Sequence, residues 1–381
     1  MNTITLLQPP RIVFGNGCAP QCAEYLVQRG VKRVLLVSST PVLPTLGAIL
    51  EALKKAGIEI VSAPPVDAEP TRDLFQKVLL VAQAGKVDGV LGIGGGSAID
   101  VAKLVAALIN GRQSAAEVFG INLLRGRELP LVCLPTTAGT GAEVSPNAIL
   151  LDETDELKKG VVSPYLVPDA AFVDPLLTVS VPPAVTAATG LDALTHCIEA
   201  YANKFAHPIV DVYALQGIRL ISANLARAVQ NGRDLDARAA LALGSLYGGL
   251  CLGPVNTAAV HALAYPLGGR FHIAHGVSNA LLLPHVLRFN FSAAPSRYAE
   301  ISVALGVDRN CSDLGTAEKG VEFLSKLSRD CGVPQKLSDL KIPRDAIPGM
   351  AKAAMLVTRL LKNNVRDVTE ADAVQIYEAA C

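Results

Sequence analysis

The stretch GVLGIGGGSAIDVAK (Gly89–Lys103) decides how the rest of the chain is read. Gly89–Ile93 is a short apolar run that suits a buried strand, and from about Ala98 the residues take helical spacing. Between them lies a turn of three glycines and Ser97. Glycines in such a turn let the backbone approach a pyrophosphate closely, and the N-terminus of the following helix offers free N–H groups and a partial positive charge. The spacing is not G-x-G-x-x-G, because Ser97 stands at the last position, and no Lys-Ser/Thr pair follows to make a P-loop. Alone, the segment is either a phosphate cradle or a structural tight turn; its place after a strand and before a helix favours the cradle.

Outward from it, short apolar runs alternate with helical stretches. Strands are predicted at Val34–Ser38, Ile58–Ser62, Leu131–Leu134, Ala148–Leu151 and Ala171–Val173, with helices near 45–56, 72–84 and 98–109. Such alternation implies crossover connections and a largely parallel, doubly wound sheet. Past Ser180 the pattern changes. Pro182 and Pro183 break the chain and suit a helix start; beyond them the sequence is rich in alanine and leucine, with helices predicted at 184–201, 208–229, 235–251, 293–304, 316–331, 347–361 and 369–380. The expected organisation is an α/β domain over 1–182 and an all-helical domain over 183–381.

Composition narrows the classes. The 381 residues carry 34 basic and 34 acidic side chains, which argues against a general nucleic-acid binder. No apolar run approaches the roughly 20 residues needed to span a membrane, and the N-terminus lacks the pattern of a signal peptide. Eight scattered cysteines without a C-x-x-C pair fit a reducing compartment. The expectation is a cytoplasmic protein. Half of the residues are apolar and 18% charged, a balance that favours a homodimer burying surface.

Two further segments carry chemistry. PTTAGTGAEVSPN (Pro135–Asn147) follows the strand at 131–134, where a parallel sheet binds its ligands. Its hydroxyls and amides suit phosphate, ribose or carboxamide, or simply cap their own backbone. GLDALTHCIEAY (Gly190–Tyr201) places Asp192 and His196 four apart on one helical face, and His261, His272 and His275 lie in HALAYPLGGRFHIAHG (His261–Gly276). A carboxylate with neutral imidazoles is a usual donor set for a catalytic divalent metal, although such a helical pair alone is more often a surface hydrogen bond.

Taken together, GGGSAIDVAK, PTTAGTGAEV, GLDALTHCIEAY and HALAYPLGG…AHG resemble the iron-containing, or group III, alcohol dehydrogenases, from about Pro10 to about Asn290. The resemblance implies a Rossmann-like N-terminal domain and an all-α C-terminal domain, as in dehydroquinate synthase, with the active site in the cleft. It implies a metal held by Asp192, His196, His261 and His275, iron by the family and zinc as the other candidate. It assigns Gly95, Gly96 and Ser97 to the pyrophosphate turn, and Thr136, Thr137, Thr140, Ser145, Asn147 and Lys158 to the cofactor side. The implied reaction is hydride transfer between NAD or NADP and a small alcohol or aldehyde. A metal-independent reductase of the maleylacetate type normally lacks the aspartate ligand, a zinc lyase would need more basic residues, and a non-catalytic nucleotide-binding protein would not need four candidate ligands.

Three positions depart from the family pattern. Tyr265 stands where many members carry a second histidine used for proton relay; Tyr265 and His272 are the candidates for that part here, His272 equally for an exposed loop residue. Ser39 stands where NAD-preferring relatives often place an aspartate against the ribose 2′-OH, so NADP use is permitted. Asp67-Ala-Glu69-Pro-Thr replaces the commoner Asn-Pro-Thr, a change without a chemical account from sequence.

Overall fold

A computed structural model describes residues 3–154, 157–309 and 312–381. The strands are β1 (Arg11–Phe14), β2 (Arg33–Val37), β3 (Glu59–Ser62), β4 (Gly89–Gly94), β5 (Gly120–Ile121), β6 (Leu131–Pro135), β7 (Asn147–Asp152), β8 (Leu157–Val162) and β9 (Ala170–Val173). Six of them form one sheet in the order β1-β9-β6-β4-β2-β3 with every neighbour parallel. A sheet covered on both faces needs strands without polar alternation, and β4 and β6 are buried at every position. The other three strands make a small sheet in which β7 and β8 pair antiparallel and β5 lies parallel on β8.

The crossover helices are α1 (Cys22–Gln28), α2 (Gly47–Lys55), α3 (Arg72–Gly85), α4 (Gly96–Leu108) and the short α5 (Ala115–Val118). Thr71 caps α3 by accepting from Leu74 N–H at 3.1 Å. Close contact between α4 and β4 depends on small residues. A Cβ on Gly92 would lie 2.8 Å from Ala102 Cβ, and one on Gly94 would lie 2.7 Å from Ala98 Cβ. These elements form one compact unit, 6–137 together with 141–180.

The second unit comprises Val181–Cys381 with residues 3–5 and the short stretch Ala138–Thr140. Its helices are α6 (Pro183–Tyr201), α7 (Pro208–Gln230), α8 (Leu235–Leu252), α9 (Ala259–Phe271), α10 (His275–Asn290), α11 (Pro295–Leu305), α12 (Asp313–Asp330), α13 (Ile347–Ala354), α14 (Thr358–Leu361) and α15 (Glu370–Ala379). Helix α6 is the axis of this unit: from Thr186 to Tyr201 nearly every residue is buried, so it is apolar around most of its circumference. The polar side chains that it nevertheless buries each need a partner there. No helix among the described residues is long and apolar enough to cross a membrane.

Candidate active site

Three of the polar residues buried on α6 are Asp192, His196 and Glu199, at helical spacings of four and three, so they share a face. Helix α9 adds His261 and Tyr265, and α10 begins at His275 and carries Asn279. Gly276 lets α10 start this close to α6, since a Cβ there would lie 2.2 Å from Ala188 O.

Asp192, His261 and His275 each offer a donor atom, and these atoms all lie within 4.8 Å of one another. Asp192 Oδ1 is 3.5 Å from His261 Nε2 and 3.8 Å from His275 Nε2. His196 stands at the margin of this group, with Nε2 3.9 Å from Asp192 Oδ1 and its ring stacked on His261 at 4.8 Å. Behind His261, Glu199 Oε2 lies 2.6 Å from Nδ1, and Oε1 accepts from Val260 N–H at 2.6 Å. A carboxylate on Nδ1 fixes the ring and turns Nε2 toward Asp192. The nitrogen Nδ2 of Asn279 donates to Asp192 Oδ1 at 2.7 Å and lies 3.1 Å and 3.3 Å from Nε2 of His261 and His275. One amide nitrogen thus sits among the three atoms that would face a cation.

The electrostatics follow from burial and neighbours. Burial alone would raise the Asp192 pKa, but His196, His275 and His261 together hold it well below the usual carboxylate range. Burial lowers His196 to about 4, against the pull of Asp192, which leaves that imidazole neutral. His261 is driven the other way: burial opposes its charge, yet Glu199 and Asp192 raise it to about 10. A buried carboxylate among imidazoles fits a divalent transition metal, and Asn279 Oδ1 beside them is buried with no hydrogen-bond partner among the described residues.

Among the proton-relay candidates, Tyr265 is half-buried, its ring 6.1 Å from that of His275, and its hydroxyl accepts from Arg359 Nη2 at 2.6 Å. His272 is exposed at the C-cap of α9 in the left-handed region, with φ 55°. His207 caps α7 by accepting from Ile209 N–H.

In the α/β unit, β4 ends at Gly94, Gly95 is the N-cap of α4, and Gly96 and Ser97 open the helix. This leaves the first amides of α4 without helical partners. Thr136 donates its N–H to Gly94 O at 2.9 Å, and Thr137 faces Gly95. Ser145 is buried. Its carbonyl and hydroxyl and the carbonyl of Asn147 accept from Lys103 Nζ at 2.8, 3.3 and 2.8 Å. Asn147 Oδ1 is buried with no hydrogen-bond partner among the described residues. Lys158, with its side chain only 5% exposed, pairs with Glu69 at 2.6 Å, and Ser39 is half-buried just past the end of β2. Thr140 belongs to the helical unit.

Sequence reasoning passed over Glu199, Asn279, Lys103, Glu143 and Glu69. Glu199 and Asn279 had a signal, seven residues after Asp192 and four after His275. Lys103 and Glu143 stood inside the quoted segments GGGSAIDVAK and PTTAGTGAEV without being given a part.

A parallel α/β unit with a glycine-rich turn, and a helical unit with a buried carboxylate–imidazole cluster, are the parts that a nucleotide- and metal-dependent enzyme requires. Residues 9–175 match the family model described as iron-containing alcohol dehydrogenase, and 186–381 match that for the Fe-containing alcohol dehydrogenase family, C-terminal. The chain is 41% identical to long-chain-alcohol dehydrogenase 1 of Geobacillus thermodenitrificans, over 100% of this chain and 97% of that one. It is 37% identical to the 1,3-propanediol dehydrogenase of Klebsiella pneumoniae, covering 90% of each. Its fold superposes on a crystal structure of 1,3-propanediol oxidoreductase with a TM-score of 0.97 at 35% identity, over 100% of both chains. The chain belongs to the iron-containing alcohol dehydrogenase family, and it is an oxidoreductase of the alcohol dehydrogenase and aldehyde reductase type.

Proposed function

We propose that this enzyme interconverts a small alcohol and its aldehyde, with NAD(P) bound to the 1–182 domain and a divalent metal, iron before zinc, bound to the 183–381 domain. The observation that carries this reading is the convergence of Asp192, His261 and His275 donor atoms within 4.8 Å. His196 completes the set from the same face of α6. The names of the relatives, which include long-chain alcohol, 1,3-propanediol and lactaldehyde enzymes, support an alcohol/aldehyde pair as the substrate class.

When bound, the metal supplies Lewis acidity at the substrate oxygen, and the nicotinamide ring exchanges the hydride. The protein's own residues do the rest. Asp192 contributes the negative charge that makes a cation acceptable among buried groups, and Glu199 keeps His261 Nε2 pointed inward. Asn279 ties down Asp192 Oδ1, so its orientation does not depend on the cation alone. In the α/β unit the free amides of Gly96 and Ser97 face where a pyrophosphate would lie, with Thr136, Thr137, Ser145, Asn147 and Lys158 on the cofactor side; Thr140, assigned to the same side, comes from the helical unit. The hydroxyl of Tyr265, held by Arg359, is the better placed candidate for moving the alcohol proton, because His272 is exposed at a helix end.

The test is metal removal. Chelation is expected to abolish oxidation of NADH by an aldehyde panel at 340 nm, and Fe²⁺ or Zn²⁺ to restore it; full activity in metal-free protein would sink the proposal. Scattered cysteines without a C-x-x-C pair support a cytoplasmic protein, and the apolar-rich, charge-poor composition supports a homodimer. Val212 on α7, 68% exposed, and the nearby Phe205 and Ile209 are apolar surface that a partner subunit could cover. A monomeric mass by light scattering would refute the dimer.

A further inference from the structure

We infer that the cofactor is NAD(H) rather than its 2′-phosphorylated form, and that Asp67 makes the choice in place of the serine at position 39. This rests on the reading above that the α/β unit binds a dinucleotide. The register of the sheet sets the geometry. Leu36 pairs with Leu91 and Val37 with Gly92, so Ser39, two residues past the last paired position, lies at the same end of the sheet as the glycine-rich turn that begins at Gly94. In such a sheet the end of this neighbouring strand lies beside the adenosine ribose, and an acidic group there binds the 2′-OH and repels a 2′-phosphate. Ser39 supplies no charge.

A carboxylate nevertheless reaches this place from the adjoining strand. After β3 the chain keeps running beside the extension of β2, with Ala63 N–H donating to Leu36 O at 3.0 Å and Val66 N–H to Ser38 O at 2.9 Å. Val66 is buried, 3% exposed, and anchors the turn. The next residue, Asp67, is exposed and fastened at both oxygens: Oδ1 accepts from Thr40 N–H and Oδ2 from Thr40 Oγ1–H, each at 2.6 Å. Each oxygen keeps a second lone pair for a ribose hydroxyl. No counter-charge for a phosphate is nearby in sequence. Neither 38–53 nor 60–71 contains a lysine or arginine. Arg72, next in line, is paired with Asp152 at 2.9 Å, and Arg33, at the far end of β2, with Glu59 at 2.6 Å. The unusual Asp67-Ala-Glu69 segment thereby has one chemical account: its first residue replaces the missing strand-end aspartate.

The experiment is fluorescence titration of the metal-loaded enzyme with NADH and with NADPH, for the wild type, Asp67→Asn, Asp67→Ser and the charge-keeping Asp67→Glu. The wild type is expected to bind NADH at least about tenfold more tightly than NADPH, as follows from a fixed charge near the 2′ position. Asp67→Asn and Asp67→Ser should narrow that ratio by about tenfold, chiefly by tighter NADPH binding, and Asp67→Glu should keep much of it. Equal or tighter NADPH binding by the wild type, or an unchanged ratio in both uncharged variants, overturns the inference. Failure of the wild type to bind either nucleotide overturns the dinucleotide reading itself.

Discussion

Glu199 is the residue whose removal should be most informative, because it touches the proposed metal only through His261. Its two oxygens hold His261 Nδ1 and the Val260 amide at 2.6 Å. Loss of such an orienting carboxylate typically costs about 10–100-fold in metal affinity. Calorimetric titration of stripped Glu199→Gln with Zn²⁺ should show a loss of that size, with a larger loss for Glu199→Ala. Glu143 has a different consequence. Burial raises its carboxyl to about 7, so the neutral form is favoured in the folded state. The stability it contributes is fully present below the ordinary carboxyl range and is lost as the pH rises through about 7. Glu143→Gln should therefore gain on the wild type between pH 4.5 and pH 8, by of order 2–3 kcal/mol in urea unfolding. A pH-independent difference between the two proteins would contradict this.

At the scale of elements, the contact between α6 and the start of α10 is the tightest joint near the cluster. Gly276→Ala places a methyl against the Ala188 carbonyl at 2.2 Å, a backbone neighbour that cannot rotate away. The expected cost is about 1–3 kcal/mol, read as a lower Tm together with weaker metal retention, since His275 opens the same helix. Legibility also varied by element. The strands near 34–38, 58–62, 89–93, 131–134, 148–151 and 171–173 were readable because β-branched and apolar runs sit between turn residues, and the observed bounds lie within about two residues. Strands β1, β8 and the two-residue β5 were not read. β1 has only half-buried or exposed positions, and β8, with its two lysines, takes its place from hairpin pairing with β7. Helices α9 and α10 were passed over as helices because each carries an interior proline, Pro266 and Pro284, which local propensity counts against a helix. The histidines they bear were still legible, because chemistry-bearing residue types stand out where secondary structure does not. The stretch expected as one helix over 347–361 is split into α13 and α14.

For the whole molecule, the Asp192, His261 and His275 cluster proposed to hold the metal lies wholly within the helical unit and the glycine-rich turn within the α/β unit. Each ligand should then stabilise by mass action the unit that binds it. Saturation with Zn²⁺ at about 100 times its Kd should add about 2.7 kcal/mol to the stability of the state that binds it. In a two-transition thermal scan, metal should move one transition and dinucleotide the other. Movement of both by metal alone would show the two units to unfold as one. A last consequence belongs to synthesis. Among the described residues strand β1 pairs only with β9, Arg11 opposite Ala170, whereas β2, β3 and β4 find one another within a much shorter span. Contacts so distant in sequence form late. On the ribosome the opening strand must therefore wait unpaired while most of its own unit is made. Arrested nascent chains ending before residue 170 should leave that strand open to protease, and chains released beyond β9 should protect it.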